Sequence, residues 1–298
     1  TDDPRKLRDL GYRQGNQQID EAGPKRSHQG HGQHQAGTYE FLNSNDIEYK
    51  WEGKYGAKGE KRQKKKKATP EQMKRQNQWK KEREVWRKIR WNFFEGDLWT
   101  TLTFPEGTRM SLQEIRKILS NFWRNMRRAY KKRGKQLRWI ARIEIGKYGG
   151  IHIHIVVNKI RGEPTTDELI QKYWKKYGYV NFTPLYEDGD FRRLANYIVK
   201  PLPDESEEGY EQLSLFTPEE KKECSTYSCS KNLITTEPER KKYYRWTVRK
   251  IIENGPEPTP GYYIDPESVV CGVNKYTGLS YLRYTEIRIK PLSRSDSG

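Results

Sequence analysis

The chain is poor in apolar residues, cysteine, methionine and histidine. Only 33% of its 298 residues are hydrophobic, and no apolar run approaches the roughly 20 residues of a membrane span. No signal-peptide core is read, so no membrane partner is expected and a cytoplasmic location is. The three cysteines, Cys224, Cys229 and Cys271, are an odd number in a long chain. They read as reduced thiols, which excludes a disulfide scaffold, and they lack an obvious fourth zinc ligand. Acidic residues are in deficit: 58 Lys and Arg stand against 40 Asp and Glu, a net charge of +18. Aromatic residues are plentiful at 12%, with 20 Tyr and 9 Trp. Positive charge combined with aromatics suits phosphate contacts and base stacking, although a generically basic protein has the same composition.

Of five histidines, three lie in a polar N-terminal tail and two form the pair His152 and His154. That pair sits within residues 138–158, RWIARIEIGKYGGIHIHIVVN, where two alternating runs flank a glycine-containing turn. Strand periodicity puts His152 and His154 on one face, and Ile151, Ile153, Ile155 and Val157 on the other. If Lys147, Tyr148 and Gly149 form the loop, Glu144 lies opposite His152 and Arg142 opposite His154. Two imidazoles and a carboxylate on one face make a candidate divalent-metal site, and a surface His-x-His pair is the alternative.

The remaining elements build around this hairpin. Residues 1–38 read as disordered; His28, His31 and His34 recur there every third residue, as in a metal tract or a solvated tail. The basic region continues to residue 68 and contains Lys64, Lys65, Lys66 and Lys67, either a solvated run or a grip on backbone phosphates. A helix over 69–96 starts at Thr69-Pro70, and Trp79, Trp86 and Phe93 give it a packing stripe. Residues 98–104 read as a strand. Ser111 with Glu114 opens a helix, Thr165 with Glu168 opens another, and 179–185 is a further strand. The order βαββαβ predicts an α+β, ferredoxin-like antiparallel sheet with both helices on one face. A helix over 190–200, capped by Asp188 or Asp190, then lays Tyr197 over the histidine face, with Lys200 one turn on and Arg193 beside it.

The strand containing Thr100 and Leu102, then His152-Ile153-His154, then Tyr197-x-x-Lys200, resembles the three ordered motifs of HUH endonucleases. Within that superfamily it is similar to rolling-circle replication initiators of plasmids and filamentous phages. The resemblance covers about 97–202. It implies nicking of single-stranded DNA at a replication origin through a 5′-phosphotyrosine intermediate, with Tyr197 as nucleophile. It further implies Lys200 as its partner, Mg²⁺ or Mn²⁺ on His152, His154 and Glu144, and Arg142, Arg193 and the lysine run as DNA contacts. Some relatives carry a second tyrosine on this helix; Pro201 stands there instead, so a single-tyrosine enzyme is expected. A relaxase or transposase using the same chemistry is one alternative. A non-enzymatic single-strand-binding module is the other; it predicts aromatics on the open sheet face, where His152, His154, Glu144, Thr101 and Thr103 are read.

Residues 203–236 read as a mobile linker. Within it, Gln212, Leu213, Leu215 and Phe216 resemble the short peptide by which bacterial replication proteins dock on the polymerase sliding clamp. That resemblance implies a bacterial host. No GxxxxGK[ST] loop is present, so unwinding is expected from a separate helicase. Residues 237–298 read as a helix from Pro238 to about Glu253 and a hairpin turning at Thr277-Gly278.

Overall fold

The computed structural model describes residues 34–51, 69–108, 110–146, 150–160, 162–185, 191–203, 206–208, 210, 213, 216–243, 245–274, 279–290 and 292. In chain order the elements are β1 (His34–Glu40), β2 (Ser44–Trp51), α1 (Pro70–Asn92), β3 (Leu98–Thr103) and α2 (Leu112–Lys131). Next come β4 (Trp139–Ile145), β5 (Ile151–Val157), α3 (Thr166–Trp174), β6 (Tyr179–Pro184) and α4 (Arg192–Val199). The remainder are α5 (Pro218–Cys224), β7 (Tyr227–Cys229), β8 (Glu239–Tyr243), α6 (Arg245–Asn254), β9 (Tyr262–Ile264), β10 (Val270–Asn274) and β11 (Leu279–Arg288). They form two compact units, one of residues 70–235 and one joining the two ends of the chain.

The 70–235 unit is built on a five-stranded antiparallel sheet in the order β6-β3-β5-β4-β7. Alternation along each strand gives the sheet two faces. Leu98, Leu102, Ala141, Ile145, Ile153 and Ile155 point to one face and join α2 and α3 in a core with Phe122, Trp123, Met126 and Trp174. The isoleucine side of the hairpin therefore lies under helices, as its pattern predicts. Ser111 starts α2 with a reciprocal cap: its hydroxyl accepts from Glu114 N at 3.3 Å, and its own N–H donates to Glu114 Oε2 at 2.9 Å. At α3, Thr165 N donates to Glu168 Oε2 at 2.8 Å.

The opposite face has its own cover. Val85, Trp86, Ile89 and Phe93 of α1 and its C-terminal flank pack with Ala195, Ile198 and Val199 of α4 against Ile140 and Val156. The seven-residue Trp86 to Phe93 spacing is thus a packing stripe. α4 has Phe191 at its N-cap with no side-chain cap bond; Asp188 and Asp190, the expected caps, lie outside the described residues.

Three expectations about the rest of the chain are corrected. The expected disorder to residue 38 gives way to β1 and β2, paired antiparallel from His34–Trp51 to Glu40–Asn45. His28 and His31 lie outside the described residues. The expected mobile linker over 203–236 contains α5, capped by Thr217, and β7, which adds a fifth strand beside β4. The helix expected from Pro238 begins only at Arg245, because residues 239–243 pair with β1 as β8.

In the end-joining unit the main sheet runs β10-β11-β2-β1-β8, and β9 pairs with β11. Ala36, Ile47, Tyr49, Val248, Leu282 and Tyr284 form its core. Both ends of the chain are needed because neither contributes enough apolar surface for a core alone.

Candidate active site

The hairpin register fixes the site. Glu144 lies opposite His152 and Arg142 opposite His154, and β3 places Thr101 and Thr103 opposite His154 and His152. The Gly146 N–H donates to Gly150 O at 2.7 Å at the base of the turn; residues 147–149, the expected loop, lie outside the described residues. α4, on the other side of the crevice, brings Tyr197 in from above.

These groups converge. The Tyr197 hydroxyl donates to Glu144 Oε2 at 2.5 Å and lies 3.1 Å from His154 Nε2. His154 Nε2 is itself 2.7 Å from Glu144 Oε2. Lys200 Nζ pairs with the second Glu144 oxygen and stands 4.4 Å over the Tyr197 ring. Thr101 Oγ1 is 3.1 Å from His154 Nδ1, which orients the ring so that Nε2 faces the carboxylate. The His152 and His154 ring centroids are 6.3 Å apart.

Electrostatics follow from this packing. Burial alone raises a carboxyl's pKa, yet at Glu144 the bonds from His154, Lys200 and Tyr197 outweigh it and hold the group well below the usual carboxylate range. Burial, reinforced by the Glu144 carboxylate, pushes the Tyr197 phenol well above its ordinary value. Burial and the neighbouring His154 lower His152, against a smaller opposing pull from Glu144. The site is therefore a neutral phenol held on an ionised carboxylate.

The candidate metal ligands are of the right chemical kind: two imidazoles and a carboxylate on adjacent strands. Here the donor atoms of His154 and Glu144 are engaged with each other and with Tyr197. Among the described residues, no group of three or more His, Cys, Asp or Glu side chains is arranged to hold a metal ion.

Arg142 requires a correction. It is 1% exposed and cannot reach DNA phosphates. Its Nη1 instead donates to the carbonyls of Tyr197 at 2.8 Å and Ile198 at 3.1 Å. Gln78 of α1 donates to the next carbonyl, Val199 O, at 2.8 Å. The last turn of α4, which carries Tyr197, is thus held by β4 and α1. The period-two reading puts Arg142 on the functional face; that α4 covers it is a tertiary fact.

Arg193 is exposed on α4. Lys64, Lys65, Lys66 and Lys67 lie outside the described residues, as do Gln212 and Leu215. Leu213 is 2% exposed within the helix-covered core, and Phe216 packs partly buried against it. These two anchors of the clamp-like peptide are occupied by the chain's own core.

Sequence reasoning missed two aromatics on the functional face. Trp99 stacks on His154, with centroids 5.3 Å apart and planes 5° apart, and meets the Tyr197 ring edge-on at 5.7 Å. Tyr179 stands opposite Thr103 at the edge of the sheet. Both were legible from strand periodicity, since 99, 101 and 103 share a face.

A small antiparallel sheet with a His-x-His strand and an overlying tyrosine helix defines a replication-associated class of domain. Residues 97–202 match the model of the family described as Replication-associated protein ORF2. The chain carries a domain of that family, whose members are rolling-circle replication initiators of the HUH type. Comparisons with curated proteins and with solved structures found no match. No helix among the described residues is long and apolar enough to cross a membrane.

Proposed function

We propose that this protein initiates rolling-circle replication by nicking and rejoining single-stranded DNA at an origin, with Tyr197 as the sole nucleophile. The convergence of the Tyr197 hydroxyl on His154 and Glu144, from separate elements of the fold, carries this reading. The β6-β3-β5-β4 order is read as the ferredoxin-like sheet, with α4 as its tyrosine helix.

In the proposed step Tyr197 Oη attacks the scissile phosphorus. A Tyr–O–P bond forms, the P–O3′ bond breaks, and the leaving oxygen takes a proton to become a 3′-hydroxyl. The phosphotyrosine conserves the phosphodiester's energy, so the reverse attack rejoins strands without ATP. At rest both burial and Glu144 hold the phenol protonated. Positive charge drawn to Glu144 weakens that hold, and Lys200 over the ring favours the phenolate. His152, His154 and Glu144 would hold Mg²⁺ or Mn²⁺; when bound, such an ion supplies charge to the non-bridging phosphate oxygens and the leaving oxygen. Arg193 is placed for backbone contact.

A partner helicase and a bacterial cytoplasmic setting belong to the same reading. Clamp docking through residues 212–216 would first require Leu213 to leave its core.

The test is incubation with labelled single-stranded origin DNA and Mn²⁺, followed by a denaturing gel and peptide mass spectrometry. The expected product is a covalent adduct on Tyr197, absent with EDTA and in Tyr197→Phe. Tight binding with no adduct across the whole origin would replace this reading by the binding module; an adduct on another tyrosine would overturn the assignment of α4.

A further inference from the structure

The functional face extends beyond the tyrosine centre to the edge strand β6. Residues directly opposed across an antiparallel pair share a face. Thr103, opposite His152 on one side, is opposite Tyr179 on the other; Thr101 is likewise opposite Asn181, and Trp99 opposite Thr183. Tyr179, Asn181 and Thr183 thus form a row beside the histidines, and all three are exposed. Tyr179 is 73% exposed, more than any other large hydrophobic side chain among the described residues. Two strand spacings, about 10 Å, separate its backbone from that of His152. Its position is also held. A Cβ at Gly178 would overlap the Thr103 carbonyl oxygen, so glycine lets β6 enter tightly against β3. Thr103 Oγ1 then donates to Tyr179 O at 3.4 Å.

We propose that Tyr179 is a stacking platform for a nucleobase of the single strand that enters the Tyr197 site. The inference rests on the single-stranded DNA reading above. Three observations choose the occupant. The chain carries a net charge of +18, which favours a polyanion. The ring lies on the sheet face that bears the candidate nucleophile, within reach of nucleotides flanking the scissile phosphate. Its row-mates Asn181 and Thr183 are uncharged hydrogen-bonding groups, suited to base edges and sugars. An exposed tyrosine ring accepts any base face, so it gives position with little sequence preference. Trp99 does not play this role, because its ring is spent on His154 and Tyr197.

The test measures binding without cleavage. Full-length protein in EDTA is titrated against fluorescein-labelled oligo-dT and oligo-dA at several salt concentrations, with anisotropy as the readout. Tyr179→Ala is expected to raise Kd about tenfold, the order of one lost base–aromatic stack, and Tyr179→Phe to bind like the wild type. The dependence of log Kd on log salt should keep its slope, because no phosphate contact is removed. Kd unchanged in Tyr179→Ala, or a Tyr179→Phe loss as large as that of Ala, would overturn the stacking assignment alone. A tenfold loss accompanied by a shallower salt slope would also overturn it, pointing to a disturbed face. Failure of the wild type to bind single strands would overturn both this inference and the reading it rests on.

Discussion

Replacing Glu144 by glutamine tests the centre of the site. The isosteric amide keeps the shape but removes the charge that Tyr197, His154 and Lys200 share. Hydrogen bonds to a buried charged group contribute about 1.5–3 kcal/mol each, so Tyr197 and His154 together are worth about 3–6 kcal/mol. Lys200, with its side chain 38% exposed, adds less than about 1 kcal/mol after solvent screening. Against this, the variant no longer desolvates a carboxylate, a relief of several kcal/mol, and its amide oxygen still accepts one bond. The expected net loss is about 2–3 kcal/mol, a fall in Tm of roughly 4–12 °C for a unit of this size. A second readout is independent of stability. Tyr197 is held as a phenol partly by the Glu144 carboxylate, so its pKa should fall in Glu144→Gln. Ultraviolet titration of tyrosinate, taken as a difference against Tyr197→Phe, measures it. An unchanged Tm together with an unchanged Tyr197 titration would refute the shared-carboxylate account.

Further outcomes follow from the same contacts. The Glu144 pKa is depressed in the folded state, so its contribution is present above the unfolded value near 4.5 and is lost as pH falls toward the folded one. The stability gap between wild type and Glu144→Gln, measured by denaturant melts, should therefore narrow steadily below that pH. Arg142→Met should lower adduct yield per bound DNA about tenfold or more by loosening the turn that carries Tyr197, while single-strand Kd in EDTA stays at the wild-type value. A weakened Kd would restore Arg142 as a DNA contact. Leu213→Ala should cost about 2–4 kcal/mol in a thermal melt, because the side chain fills a core. A melt unchanged by that substitution would indicate a side chain presented outward to a partner.

Much of the 70–235 unit was legible because its signals are local. Alternation over 139–145 and 151–157 assigned the two sheet faces and the Glu144–His152 register, since a strand's period of two leaves no other way to bury the isoleucines. Capping residues at Ser111 announced where α2 begins. The same local reasoning failed where strands find partners far along the chain. Residues 34–40 are polar and look unstructured alone, yet they pair with 44–51 and with 239–243, a contact separated by some two-thirds of the sequence. Residues 227–229 look like linker until β4 offers an edge.

The site divides in the same way. Sequence by itself determined that two histidines and a carboxylate share a face and that Tyr197 and Lys200 lie a turn apart on a helix, because side-chain direction follows from backbone periodicity. Only tertiary structure decided that α4 lies close enough for the Tyr197 hydroxyl to reach Glu144, that Arg142 faces helix carbonyls rather than solvent, and that Trp99 stacks on His154. Those contacts arise from packing α1 and α4 against the sheet, and packing depends on which surfaces remain to be buried once every element has formed.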